Sequence, residues 1–152
     1  MPPLEILRAS IGQLDEACRL FAGYLVFYGR QTEEASRRDF IAARLQNGDS
    51  VIFLAYRQGI AVGFMQLYPA FASLSLAPNW ILNDLYVDPT ARGNGVGRTL
   101  MQTARTLASE NGAAEIFLQT ARDNHAAQRL YEGLGYRRDD DFLVYTLSLP
   151  TH

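Results

Sequence analysis

The run ARGNGVGRTLM, from Ala91 to Met101, sets glycines at 93, 95 and 97 between two arginines. It follows an apolar stretch, WILNDLYV, that ends at Asp88-Pro89. It leads into a segment whose Val96, Leu100, Ala104 and Leu107 recur at helical spacing. A further strand-like stretch, AEIFLQTA, comes after Asn111-Gly112 has stopped that helix. Strand, glycine turn, helix, strand is a crossover unit, and its two strands lie parallel in one sheet. An all-helical or purely antiparallel architecture is thereby excluded. Each glycine near a helix start costs about 0.5–1 kcal/mol against alanine. Three together imply that something comes very close to the main chain.

The rest of the pattern builds outward from this unit. LEILRA reads as an opening strand, and Ser10-Ile11-Gly12-Gln13 has the form of a capping box. Ile11, Leu14, Cys18, Phe21 and Leu25 then mark one buried helical face, closed by Tyr24, Phe27, Tyr28 and Gly29. Thr32 is placed to cap a second helix running to about Gln46, where NGD stops it. SVIFLAYRQGIAVGFMQLYP reads as a hairpin that turns at Arg57-Gln58-Gly59. Beyond the crossover, NHAAQRLYEGLG is a helix closed by Gly133 and Gly135, and YRRDDDFLVYTLSL supplies the closing strand or strands. The expected order is β-α-α-β-β-β-α-β-α-β. This is an α/β chain with a mixed, mostly antiparallel sheet and helices on both faces. No repeat or linker interrupts the 152 residues, so residues 1–152 are expected to form a single domain.

Composition bounds the function mainly by exclusion. The formal net charge of −2 offers no basic field for nucleic acid or an anionic membrane. All 14 basic residues are arginine. Cys18 is the one cysteine, which excludes an internal disulfide and a thiolate metal cluster. His125, at the first turn of a helix, and the terminal His152 complete no metal-ligand spacing, so no metal is expected. No apolar run approaches the roughly 20 residues that span a bilayer. MPPLEILRAS lacks the regions of a signal peptide, and a cytoplasmic chain is expected.

A helix start leaves its first N–H groups unpaired, and the helix dipole favours negative charge there. Gly93, Gly95 and Gly97 let such N–H groups converge on a phosphate, while Arg92 and Arg98 supply counter-charge. The bland alternative is a tight turn flanked by exposed arginines. A Walker loop requires a lysine, which this chain lacks. The dinucleotide fingerprint requires G-x-G-x-x-G near the first strand, whereas the spacing here is G-x-G-x-G in mid-chain.

Arg92-Gly93-Asn94-Gly95-Val96-Gly97 resembles the Q/R-x-x-G-x-G/A pyrophosphate loop of the GNAT superfamily of N-acetyltransferases. LNDLYVDPTARG resembles the fourth strand of that family and its turn. DNHAAQRLYEGLGY resembles the later helix that carries an asparagine near its start and a tyrosine two turns on. The likeness covers roughly Val51 to Leu147. Within the family, LNDLYV is similar to strands of polyamine and histone-type small-amine acetyltransferases.

The resemblance implies the GNAT fold, a sheet splayed between its fourth and fifth strands with acetyl-CoA in the V. It implies that the main chain of Leu85, Tyr86 and Val87 pairs with the pantetheine arm, and that the N–H groups of Arg92, Gly93, Asn94, Gly95, Val96 and Gly97 hold the pyrophosphate. Arg98 would add charge and Thr99 a hydroxyl. Asn124 would cap the later helix and face the cofactor. Tyr131 matches the tyrosine that protonates the leaving thiolate, a role suited to a phenol still protonated at neutral pH. Tyr131 also fits a helix core stripe with Ala127, Leu130 and Leu134. An enzyme that acetylates a small primary amine, possessing no acyl-enzyme and acting as a homodimer, is the implied reading.

Asp84 is the one carboxylate in its apolar strand: a catalytic base, a charge that binds a cationic amine, or a carboxylate satisfying backbone N–H groups. Related polyamine acetyltransferases carry glutamate where this chain has Asn83, and an amide is no base. Alternation sends Asn83 and Asp84 to opposite faces. Tyr24, Tyr28, Tyr68, Phe71 and Trp80 are candidate walls of an acceptor pocket, although core positions suit them equally. The departure at Asn83 keeps a second expectation open, a non-catalytic acyl-CoA sensor with the same cleft. A mononucleotide-binding domain is a third.

Overall fold

A computed structural model describes residues 1–151. The chain divides into two compact units, Met1–Gln119 and a second from Thr120 onward. The first unit contains a five-stranded sheet in the order β1-β2-β3-β4-β5. Its strands are β1 (Leu4–Arg8), β2 (Val51–Arg57), β3 (Ile60–Ala72), β4 (Ala77–Val87) and β5 (Ile116–Phe117). The first four pair antiparallel, and β4 with β5 is parallel. The mixed sheet follows from the crossover helix α3 (Val96–Glu110), which carries the chain back over the sheet.

Two helices, α1 (Leu14–Phe27) and α2 (Glu34–Asn47), precede β2. A single 3₁₀ turn at Ile11–Gln13 leads into α1, and the Ser10 N–H donates to Gln13 Oε1 at 2.8 Å. The cap of α2 differs from the sequence expectation: Glu33 is its N-cap. Thr32 instead accepts from Arg37 through its carbonyl at 2.6 Å and its hydroxyl at 3.0 Å. Gly48, at φ +63°, ends α2 in the left-handed region that glycine adopts without penalty.

The sheet is covered on both faces, as the unbroken burial of β2 from Val51 to Ala55 requires. Ala17, Leu20 and Phe21 of α1 and Ile41 of α2 pack on Ile52, Leu54, Ala61 and Phe64. On the other face α3 buries Val96, Leu100, Met101, Ala104 and Ala108. Gly63 is what allows the close approach there. A Cβ at Gly63 would lie 2.6 Å from Val96 Cγ1 and 3.0 Å from Leu100 Cδ1.

Two irregularities shape β3 and β4. Ala55 pairs with Gly63 while Tyr56 pairs with Ala61, leaving Val62 as an extra residue. Gln66 pairs with Asp84 while Leu67 pairs with Leu82, leaving Asn83 as a β-bulge. The pairing of β4 with β5 is confined to Trp80–Ile116 and Ile81–Phe117. Within the first unit, Leu82 to Val87 therefore has a ladder partner on the β3 side only. This is the splay that the resemblance implies.

The second unit contains α4 (His125–Gly133). The strand or strands expected in YRRDDDFLVYTLSL are not formed within that unit. A strand exists only through a ladder with a neighbour, and this run has none inside its own unit.

Candidate active site

β4 ends at Val87, where Asp88 caps a short 3₁₀ turn (Pro89–Ala91) by accepting from the Thr90 N–H at 2.9 Å and its hydroxyl at 2.7 Å. Those two bonds hold the Asp88 carboxyl below its ordinary range. The chain then turns through Gly93 at φ +80° and Gly95 at φ +83° into α3, with Gly95 as N-cap. Such φ values strain any residue with a Cβ. No protein atom lies within 4 Å of a Cβ built at either glycine, so the space beside them is open.

The arginines and the hydroxyl expected at this loop are partly engaged. Arg92 Nε donates to the Val87 carbonyl at 3.0 Å, and its guanidinium lies 5.6 Å from the ring centres of both Phe27 and Tyr86. Arg57 reaches the Asn94 carbonyl at 3.4 Å. The Thr99 hydroxyl donates to the Gly95 carbonyl at 2.9 Å, so its hydrogen points along the helix. Arg98 is exposed, and Val96 is buried as the first apolar contact of α3. The hydroxyl end of Tyr86 packs against α1 at Gly23, where a Cβ would lie 2.6 Å from the phenol oxygen.

Asp84 lies deeper, 3% exposed, and accepts from two side-chain amides. Gln66 Nε2 donates to Oδ2 at 2.6 Å and Asn83 Nδ2 to Oδ1 at 3.0 Å. The Ser50 hydroxyl donates to Gln66 Oε1 at 2.8 Å. Asn83 and Asp84 therefore do not diverge to opposite faces, because the bulge breaks the alternation that the sequence suggested. The Tyr24 hydroxyl donates to the Asn83 carbonyl at 3.3 Å. Burial, reinforced by the Asp84 charge, pushes the Tyr24 phenol far above its ordinary range. The same two causes push Tyr68 up to about 12. Both remain protonated donors at neutral pH.

The candidate acceptor walls do not all converge. Tyr28, 48% exposed, stacks edge-on against Tyr24 with ring centres 5.0 Å apart. Trp80 is on the other face of β4. It pairs with Pro69 on the far side of the bulge, is 7% exposed, and donates its indole N–H to Asn111 at the end of α3. Phe71 sits far out on the β3–β4 hairpin. Sequence reasoning passed over Ser50 and Gln66, although Gln66 is a lone polar residue in the apolar run GFMQLY. Only the pairing register brings it opposite Asp84.

Asn124 and Tyr131 belong to the second unit. The Asn124 side chain accepts from the Ala127 N–H at 3.2 Å and so caps α4. The Tyr131 ring lies 6.0 Å from that of Tyr136. Cys18 borders a groove between α1 and α2 that Asp15, Arg37 and Arg38 also line, and burial pushes its thiol up, away from the thiolate a nucleophile requires. Among the described residues, no cluster of three or more histidines, cysteines or carboxylates could hold a metal ion. No described helix is long and apolar enough to cross a membrane.

A splayed fourth strand running through a glycine turn into a helix is the arrangement that the resemblance implies, and comparison with known proteins agrees. The model of the acetyltransferase (GNAT) family matches residues 14–136. The chain is 40% identical over 147 residues to the uncharacterized N-acetyltransferase YhfO of Bacillus subtilis, covering 97% of this chain and 99% of the relative. A crystal structure of a probable acetyltransferase superposes with a TM-score of 0.91 at 41% identity, covering 97% of this chain and 99% of that one. A D-amino-acid N-acetyltransferase of Saccharomyces cerevisiae is 36% identical over 81 residues, 53% of this chain and 50% of the relative. The chain belongs to the GNAT family and is an N-acetyltransferase. Acetyl-CoA is the acetyl donor that this family uses.

Proposed function

We propose that the chain transfers the acetyl group of acetyl-CoA directly to the primary amine of a small acceptor. The observation that carries this reading is the β4 edge, free of β5 beyond Ile81, leading into a helix start whose N-cap is Gly95 at φ +83°. Main-chain groups of Leu85, Tyr86 and Val87 are then available to an extended pantetheine arm. The first N–H groups of α3, with Arg92 and Arg98 beside them, suit a pyrophosphate. The acceptor nitrogen attacks the thioester carbon with its lone pair, the C–S bond breaks, and the electron pair leaves on sulfur. Tyr131 is the proposed donor of a proton to that sulfur. The acetylated nitrogen releases one proton in turn, so the balance closes without an acyl-enzyme. The D-amino-acid relative supports an acceptor of small size. Family membership supports a homodimer, which sedimentation tests.

The experiment is release of free CoA thiol with a panel of small amines. Turnover with at least one amine, cut well beyond about tenfold by Tyr131→Phe, is the expected result. Bound acetyl-CoA without turnover for any amine overturns it in favour of an acyl-CoA sensor.

A further inference from the structure

The glycine loop between β4 and α3 is anchored at its two ends. On the strand side, the Asp88 N–H donates to the Val62 carbonyl at 2.9 Å. On the helix side, Val96 is buried in the core. The peptide between Asn94 and Gly95 lies between those anchors, at a glycine with open space beside it. Its orientation matters, because a trans peptide points its carbonyl and its N–H in opposite directions. Turned one way, it offers an anion the Gly95 N–H. Turned the other way, it offers a carbonyl oxygen, which an anion repels.

Arg57 biases that choice. It is the last residue of β2 and pairs with Leu4 of β1 and Ile60 of β3, so its backbone sits in two ladders. The neighbouring bulge is held as well, since Arg19 of α1 donates to the Ala61 carbonyl at 2.6 Å. From this base the Arg57 guanidinium spans two carbonyls. Its Nε donates to Pro2 at 3.1 Å, which sets the plane of the fork, and Nη2 reaches Asn94 at 3.4 Å. Drawing the Asn94 carbonyl towards Arg57 aims the Gly95 N–H away from it.

We infer that Arg57 is a positioning residue for the glycine loop: it holds the Asn94–Gly95 peptide with its N–H turned away from β2, and so sets the donor geometry that a pyrophosphate meets. The inference rests on the placement of acetyl-CoA proposed above. It adds a residue outside the loop, 37 positions earlier in the chain, on which that placement depends.

The test titrates CoA by calorimetry into the 152-residue chain and its variants, each paired with a thermal melt. Arg57→Ala raises the Kd for CoA about tenfold, the loss of roughly one charge-assisted hydrogen bond. Dephospho-CoA, which keeps the pyrophosphate but lacks the 3′-phosphate, loses affinity by the same factor. Arg57→Lys keeps the charge without the planar fork, and its Kd falls within about threefold of that of Arg57→Ala. In the transfer assay the loss is in KM for acetyl-CoA, with kcat unchanged. Wild-type CoA affinity in folded Arg57→Ala overturns the inference. So does full rescue by Arg57→Lys, which would leave charge alone as the cause. A loss that vanishes with dephospho-CoA also overturns it, because Arg57 would then touch the 3′-phosphate directly. If Arg57→Ala does not fold, Arg57→Lys decides: weakened binding upholds the inference and wild-type binding overturns it. A wild type that binds no CoA overturns the placement of acetyl-CoA itself and the inference with it, whereas the other contrary outcomes overturn the inference alone.

Discussion

Tyr24 and Tyr68 report on Asp84. Burial raises both phenols first, and the Asp84 charge adds to it. For a group raised in the folded state, the neutral phenol is favoured by folding. Its contribution to stability is therefore complete below the ordinary tyrosine value of 10.0 and is lost as pH rises through about 12, where Tyr68 ionises. A phenolate absorbance titration should show Tyr24 and Tyr68 ionising above the ordinary tyrosine value, with the melting temperature falling above about pH 10. Asp84→Asn removes one of the two causes and should bring Tyr68 down towards 10 while leaving it raised. Titration of Tyr24 and Tyr68 at the ordinary tyrosine value in folded protein would contradict the buried geometry. The sequence identified Asp84 as unusual, because a carboxylate in an apolar strand is conspicuous. It could not show the donors around it, since Ser50 and Gln66 are brought there by strand pairing.

The seating of α3 on the sheet depends on Gly63. A methyl group there must displace Val96 or Leu100, which are 1% and 0% exposed. Gly63→Ala should cost about 1–3 kcal/mol, the usual range for overpacking a core. It should also lift the first turn of α3 and weaken CoA binding, although Gly63 is in β3 and not in the glycine loop. Thermal melts and CoA titration check this, and unchanged values of both would show that the helix start is not held there. Most elements were legible because their pattern survives in the sequence: continuous apolar runs in β2 and β3, a helical stripe in α3. The turn at Gln58-Gly59 was legible too, and both residues have positive φ. The bulge at Asn83 was not, because a bulge is a property of two strands and appears only in their register. Trp80 was misplaced for the same reason: the extra residue puts it on the face opposite Asp84. The closing strand or strands were expected in YRRDDDFLVYTLSL, and a strand-like run alone supplies no ladder partner.

The family match from residue 14 to 136 crosses the boundary between the two units. The molecule carries a formal charge of −2, so its net field repels a polyanion such as CoA. In the proposed reading, affinity comes from the local N–H groups and arginines at the start of α3. Binding to the native state alone raises its stability in proportion to RT ln(1 + [L]/Kd), so CoA should raise the melting temperature of the wild type. Gly95→Val isolates the loop's part in this. The substitution meets no protein atom, but it imposes a β-branched residue on φ +83° and turns the helix-start N–H groups out of line. The loop is exposed, so the fold should survive. Calorimetric titration of CoA into Gly95→Val, paired with a thermal melt, is the most direct measurement. The predicted result is a folded protein whose CoA affinity has fallen by about a hundredfold or more, the loss of two or three charge-assisted hydrogen bonds. Wild-type affinity in folded Gly95→Val would mean that the glycines serve only a turn, and would contradict the placement of acetyl-CoA at the start of α3.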